Sequence, residues 1–110
     1  MRINKELLKG STGTLLLKLL DKEDQYGYQL VKELERQSDG TFALKEGTLY
    51  PLLHGMEAER WVESYWEEAE GRKRKYYRIT ESGRRQLEEK QREWRLFRGA
   101  VDRVLGEGSV

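Results

Sequence analysis

The chain has 110 residues, 36% of them hydrophobic and 37% charged, with a formal net charge of only +1. That length allows one domain and is too short for two, and so low an apolar fraction gives a thin core of the kind a second copy of the chain often completes. The absence of cysteine and the single histidine, His54, exclude a disulfide scaffold, a thiolate or histidine-rich metal site and a cysteine nucleophile, and no cofactor is expected.

The chain opens MRINKELLKG, without the apolar stretch of a secretory signal. No apolar run reaches the ~18 residues of a membrane span. The expected location is therefore the cytoplasm, away from any membrane. The first predicted helix covers about 5–20. Its second half, LLLKLL, is apolar on nearly every face and should be buried from several sides. Gly10 and Gly13 interrupt it, each costing about 1 kcal/mol against Ala. They read either as the close approach of another backbone or cavity wall, or as a frayed first turn.

A second helix is predicted over about 26–37, where Gly27, Leu30, Val31 and Leu34 follow the i, i+3, i+4, i+7 spacing of one face. SDGT at 38–41 is a turn. The third helix, about 47–59, repeats the spacing with Leu49, Leu52, Leu53 and Met56. Its opposite face carries Gly47, Tyr50, Pro51, His54 and Gly55. Proline is harmless where helix N–H groups lack partners, so Pro51 predicts a start near Gly47 or Thr48, with Thr48 as cap.

Residues 61–67 and 74–80 read as a hairpin around EEAEGRK, with Tyr77 and Ile79 on one face and Tyr76 and Arg78 on the other. The last helix, about 81–105, is capped by Thr80 and stopped by Gly106 and Gly108. Along it Leu87, Trp94, Phe97, Val101 and Val104 step by seven, three, four and three, a heptad seam amid charges. Such a seam needs a partner, and the candidates are the same helix and the first helix of a second copy.

Charge distribution outweighs the near-neutral sum. GRKRKYYR at 71–78 has no acid, and ESYWEEAE at 63–70 has no base. Helix, helix, helix, basic hairpin, helix is the order of a winged helix-turn-helix: mainly α with a β-hairpin, residues 1–80 binding DNA and residues 81–110 forming a dimerisation helix. The third helix would enter the major groove. Arg72, Lys73, Arg74 and Lys75 would straddle the phosphate backbone or probe a minor groove. Each feature also has a plainer reading: a solvated basic turn, Tyr50 as a packing residue, His54 as a bystander, Trp94 as core. No nucleophile elbow, Walker loop, zincin helix or dinucleotide glycine pattern points to an enzyme.

The blocks YGYQLVKEL at 26–34, KEGTLYPLL at 45–53, and GRKRKYYRIT at 71–80 followed by ESG resemble the PadR family of transcriptional regulators, in its compact form with a single C-terminal helix. The resemblance covers about residues 4 to 105. It implies a homodimer on a palindromic or pseudo-palindromic double-stranded DNA operator, with repression of nearby genes. By position it places Thr48, Tyr50, Pro51 and His54 on the recognition helix, and Lys73, Arg74 and Tyr76 in the wing. Tyr26 and Gln29 fall at the start of the second helix, where an N-terminus can meet a phosphate. Leu87, Trp94, Phe97, Val101 and Val104 would form the dimer interface.

Multidrug-sensing members resemble the chain further. In them a tryptophan from each terminal helix flanks a flat pore between subunits. Trp94 falls at that position, and Leu7, Gly10, Gly13, Thr14 and Val101 would line the pore and admit a planar aromatic effector. Alternatively Trp94 simply fills the seam. Two departures stand out: Gly55 where members commonly carry a basic residue, and Arg60 where they commonly carry glycine. Arg60 is thus expected in a left-handed conformation. Gly55 and the near-neutral charge also motivate another reading, a winged-helix interaction module that has lost operator reading.

Overall fold

The structure, a computed structural model, describes residues 3–108. Its elements are α1 (Lys5–Lys22), β1 (Gln25–Tyr26), α2 (Gly27–Gln37), α3 (Glu46–Ala58), β2 (Val62–Ala69), β3 (Arg72–Ile79) and α4 (Glu81–Leu105). Asn4 caps α1 by accepting the Glu6 N–H at 2.8 Å. The apolar half of α1 supplies Leu16, Leu17, Leu19 and Leu20 to the core. Leu30 and Leu34 of α2, Leu49, Leu53 and Met56 of α3, and Val62, Tyr77 and Ile79 of the sheet close around them. Burial of each such side chain contributes roughly 1.5–3 kcal/mol.

α3 starts earlier than its proline suggests. Lys45 is the N-cap and Thr48 lies inside the first turn, so Thr48 is not the cap. Glu46 in that turn suits the positive end of the helix dipole. Pro51 is the sixth helical residue, where its missing N–H leaves the Gly47 carbonyl without its helical donor.

The hairpin is longer than its aromatic content indicates. β2 and β3 pair from Val62 with Ile79 to Ala69 with Arg72. Glu70 and Gly71, both at positive φ (53° and 75°), make the two-residue turn that matches strand twist. A strand not apparent from the sequence, β1, pairs Gln25 with Tyr77 and Tyr26 with Tyr76, giving the sheet order β1-β3-β2. The wing root is thereby stitched to the start of α2.

α4 is anchored at one knuckle. The Thr80 N–H donates to the Trp61 carbonyl (3.0 Å), and its hydroxyl donates to the Arg60 carbonyl (2.7 Å) while accepting the Gly83 N–H (3.0 Å). Gly83 sits so close that a Cβ there would fall 2.0 Å from the Trp61 carbonyl oxygen. Arg60 has φ 63°, the expected left-handed conformation. Arg84 bonds Asp21 of α1 at 3.1 Å and Glu81 at 2.8 Å. Leu87 is 3% exposed within this one chain. That corrects its assignment to a dimer interface: it belongs to the protomer's own core, and the uncovered seam begins beyond it. From Arg92 to Arg98 every residue of α4 is exposed, and Gly106 ends the helix at φ 74°.

Candidate nucleic-acid interface

On α3 the outer face is formed by Gly47, Thr48, Pro51, His54 and Gly55, all exposed. Tyr50 is half-buried and turned toward α2. A Cβ on Gly27 would lie 2.4 Å from the Tyr50 hydroxyl oxygen, so only glycine lets the phenol seat there. Its ring is 6.4 Å from that of His54. Tyr50 therefore fixes the angle between α2 and α3, leaving Thr48, Pro51 and His54 as the protruding set.

Tyr26 is the N-cap of α2, and its N–H donates to Gln29 Oε1 at 3.1 Å. One polar atom of Gln29 is thus engaged in holding the helix start. Arg74 reaches across from the wing. Its guanidinium lies over the Tyr26 ring, 4.4 Å from the centroid, and donates to the Tyr26 hydroxyl. Tyr76 stands between Tyr26 (5.4 Å, edge-on) and Tyr65 (5.7 Å, stacked). Tyr65 donates to Asp24 at 2.5 Å. That carboxylate, with burial second, pushes the Tyr65 hydroxyl up to about 12. The structure brings Tyr26, Arg74 and Tyr76, expected at the start of the second helix and in the wing, into one tyrosine–arginine stack at the wing root. Lys73 stays apart, exposed near the tip.

Among the described residues Arg72, Lys73, Arg74 and Lys75 belong to no ion pair, whereas Arg36, Arg78 and Arg84 are all matched to carboxylates. A groove of about 680 Å³ runs between this basic hairpin, the start of α2 and the outer side of α3; Tyr28, Tyr50, His54, Trp66, Arg72 and Lys75 are among its lining residues. Lys75 belongs to the basic stretch that the sequence assigns to the DNA backbone, whereas Trp66 (68% exposed) and Tyr28 (62%) were not apparent as groove residues from the sequence. The available signal was Trp66 standing opposite the basic strand, but its cross-strand partner depends on the register.

Leu7, Gly10, Gly13, Thr14, Trp94 and Val101 do not enclose a pore in a single chain. Among the described residues neither glycine has another element within 4 Å of where a Cβ would sit, so none of their backbone approaches either glycine. Leu7 and Trp94 are exposed, and Trp94 contacts Phe97 at 5.9 Å between rings.

Residues 16–89 match the transcriptional regulator PadR-like family. The chain belongs to that family. PadR-family members are transcriptional regulators that bind DNA, and they are not enzymes. An uncharacterised protein of Lysinibacillus sphaericus is 32% identical over 101 residues, 91% of this chain and 93% of that one. The structure of a transcriptional regulator from Clostridium thermocellum is similar at TM-score 0.85 and 32% identity, covering 92% of this chain and 96% of the other. A PadR-like regulator from Bacillus cereus is similar at TM-score 0.83 and 36% identity, covering 96% and 100%. The winged-helix fold is shared with these PadR proteins. Among the described residues no helix is long and apolar enough to cross a membrane.

Proposed function

We propose that this PadR-family regulator is a homodimeric repressor that reads a two-fold operator and is relieved by a small planar aromatic effector. The observation that carries the DNA-reading part is the uncovered face of α3 beside four unpaired cations on one hairpin. Residues 1–80 read the duplex, and residues 81–110 pair the subunits. Thr48, Pro51 and His54 reach base edges, and Lys73 reaches a phosphate near the wing tip. Tyr26, Gln29, Tyr50, Arg74 and Tyr76 hold these elements at the angle that a groove requires.

The dimer is supported by Trp94, Phe97 and Val104, which are exposed along one stripe of α4 with half-buried Val101 between them. In such a dimer Leu7, Gly10, Gly13 and Thr14 would face Trp94 across the interface, and an effector would stack on the indole. Fluorescence anisotropy on duplexes from the DNA beside its own gene tests the reading. Salt-sensitive, sequence-preferring binding that a planar aromatic compound releases is expected; binding indifferent to both sequence and salt overturns it.

A second reading is an interaction module, favoured by Gly55, which leaves the outer face of α3 without a side chain or a cation there. Reversing the charge of Lys73 and Arg74 separates the two, because a DNA reader loses its duplex while a module loses a protein partner.

A further inference from the structure

Trp66 and Lys75 face one another across the hairpin as register partners, so both side chains leave the same face of the sheet. That face is the one whose inner part, Val62, Tyr77 and Ile79, is buried in the core. Toward the tip the hairpin outruns the core, and the same face overhangs the groove in front of α3. The result is an indole left 68% exposed beside an ammonium, with Lys75 Nζ 5.6 Å from the centre of the Tyr77 ring and in no ion pair among the described residues. Across the groove stand Tyr28, also exposed, and His54. One exposed aromatic needs no explanation, but Trp66 and Tyr28 lining one groove form an apolar patch of the kind that marks an interaction site.

The opposite face of the hairpin behaves differently. There Arg74 is held by the Tyr26 ring and hydroxyl, Arg78 by Glu63 at 3.0 Å, and Tyr76 by its two neighbours. On that face Arg74 and Arg78 are tied into the fold, while exposed Arg72, which also lines the groove, is in no ion pair among the described residues; on the other face Lys75 likewise lines the groove in no ion pair.

We infer that Lys75 and Trp66 together grip the sugar–phosphate backbone of the strand running between α3 and the wing, Lys75 on a phosphate and the Trp66 indole against a deoxyribose. Arg74 is a positioning residue that sets the wing through Tyr26. The inference rests on the DNA-reading proposal and deepens it. The occupant is duplex DNA because the groove combines unpaired cations, exposed aromatic faces and an adjoining helix surface free of side-chain cover. A sugar–phosphate chain matches that alternation of anionic and apolar groups. The contacts carry no base information, so they raise affinity for all sequences alike.

The test is anisotropy of a labelled mixed-sequence duplex at several salt concentrations, with the full chain. Each phosphate contact contributes about 0.9 to the slope of log K against log salt. Lys75→Gln is expected to lower the slope by about that amount, and Trp66→Ala to weaken binding roughly tenfold at unchanged slope, since the indole covers apolar surface but carries no charge and releases no counterion. Trp66→Phe should restore part of the loss. Arg74→Gln should weaken binding with little change in slope, and Tyr26→Phe should add little to it. All four positions lie outside the fully buried core, and circular dichroism checks that each variant is folded. Wild-type binding that is salt-sensitive but unmoved by Lys75→Gln and Trp66→Ala overturns the inference alone. So does a slope that falls for Arg74→Gln and not for Lys75→Gln. Absence of any wild-type binding overturns the parent proposal, and this one with it.

Discussion

Glycines here fall into two kinds that the sequence does not distinguish, and their substitution separates them. At Gly83 a Cβ would stand 2.0 Å from the Trp61 carbonyl oxygen and 2.9 Å from its carbon, backbone atoms that also receive Thr80 and cannot swing aside. Gly83→Ala should cost about 3 kcal/mol, at the upper end of overpacking, read as a lowered urea midpoint. Gly55 is helical, exposed and surrounded by open space. Gly55→Ala should raise stability by up to about 1 kcal/mol in the same measurement. Arg60 is the reverse case, a long side chain at φ 63° with its carbonyl holding the Thr80 hydroxyl. The left-handed conformation costs a non-glycine residue roughly 1–2 kcal/mol, and glycine's extra freedom when unfolded returns part of that. Arg60→Gly should therefore stabilise by a few tenths to about 1 kcal/mol in thermal melts.

The elements themselves were largely legible because each has one repeating apolar face. Leu30 and Leu34, then Leu49, Leu53 and Met56, are buried where the 3.6-residue spacing puts them, and Thr80 caps α4 as its position indicates. What was illegible arises from pairing between distant segments. β1 is two residues long, too short for any pattern, and exists because Tyr26 meets Tyr76 far along the chain. The tyrosine stack follows from that pairing, so tyrosines that resemble candidate contacts one by one turn out to brace each other. Leu87 was misplaced for a related reason, since a heptad stripe does not reveal where α4 stops touching its own core. The brace has a pH signature through Tyr65. Its folded pKa, about 12, lies above the free value of 10.0, so the folded state retains a proton that the unfolded chain releases. Its contribution is complete below pH 10 and is lost as pH rises from 10 through 12. Tyr65→Phe should lose about 1 kcal/mol at neutral pH with the Asp24 bond. It should also lose stability less steeply than wild type between pH 10 and 12 in denaturant midpoints taken along that range.

For the whole molecule the decisive asymmetry lies along α4. Its base is locked by Gly83, Arg84 and Leu87, while Trp94 is 49% exposed, Phe97 56%, Val104 87% and Leu105 63%. A single chain therefore folds its winged part completely and leaves one apolar stripe in water, along a molecule 53 Å in its longest direction. If that stripe joins two copies, two α3 faces become fixed at one separation, as a two-fold operator needs. Substitutions at the two ends of α4 should then fail in different ways. Leu87→Glu places a carboxylate in the protomer core and should abolish folding, with loss of the helical circular dichroism signal. Phe97→Glu leaves the isolated chain undisturbed but sets two carboxylates into the proposed seam. It should give a folded monomer by analytical ultracentrifugation, against the dimer expected of wild type, with operator affinity falling at least tenfold because each winged part binds alone. A Phe97→Glu protein that remains dimeric would place the subunit contact elsewhere on the chain.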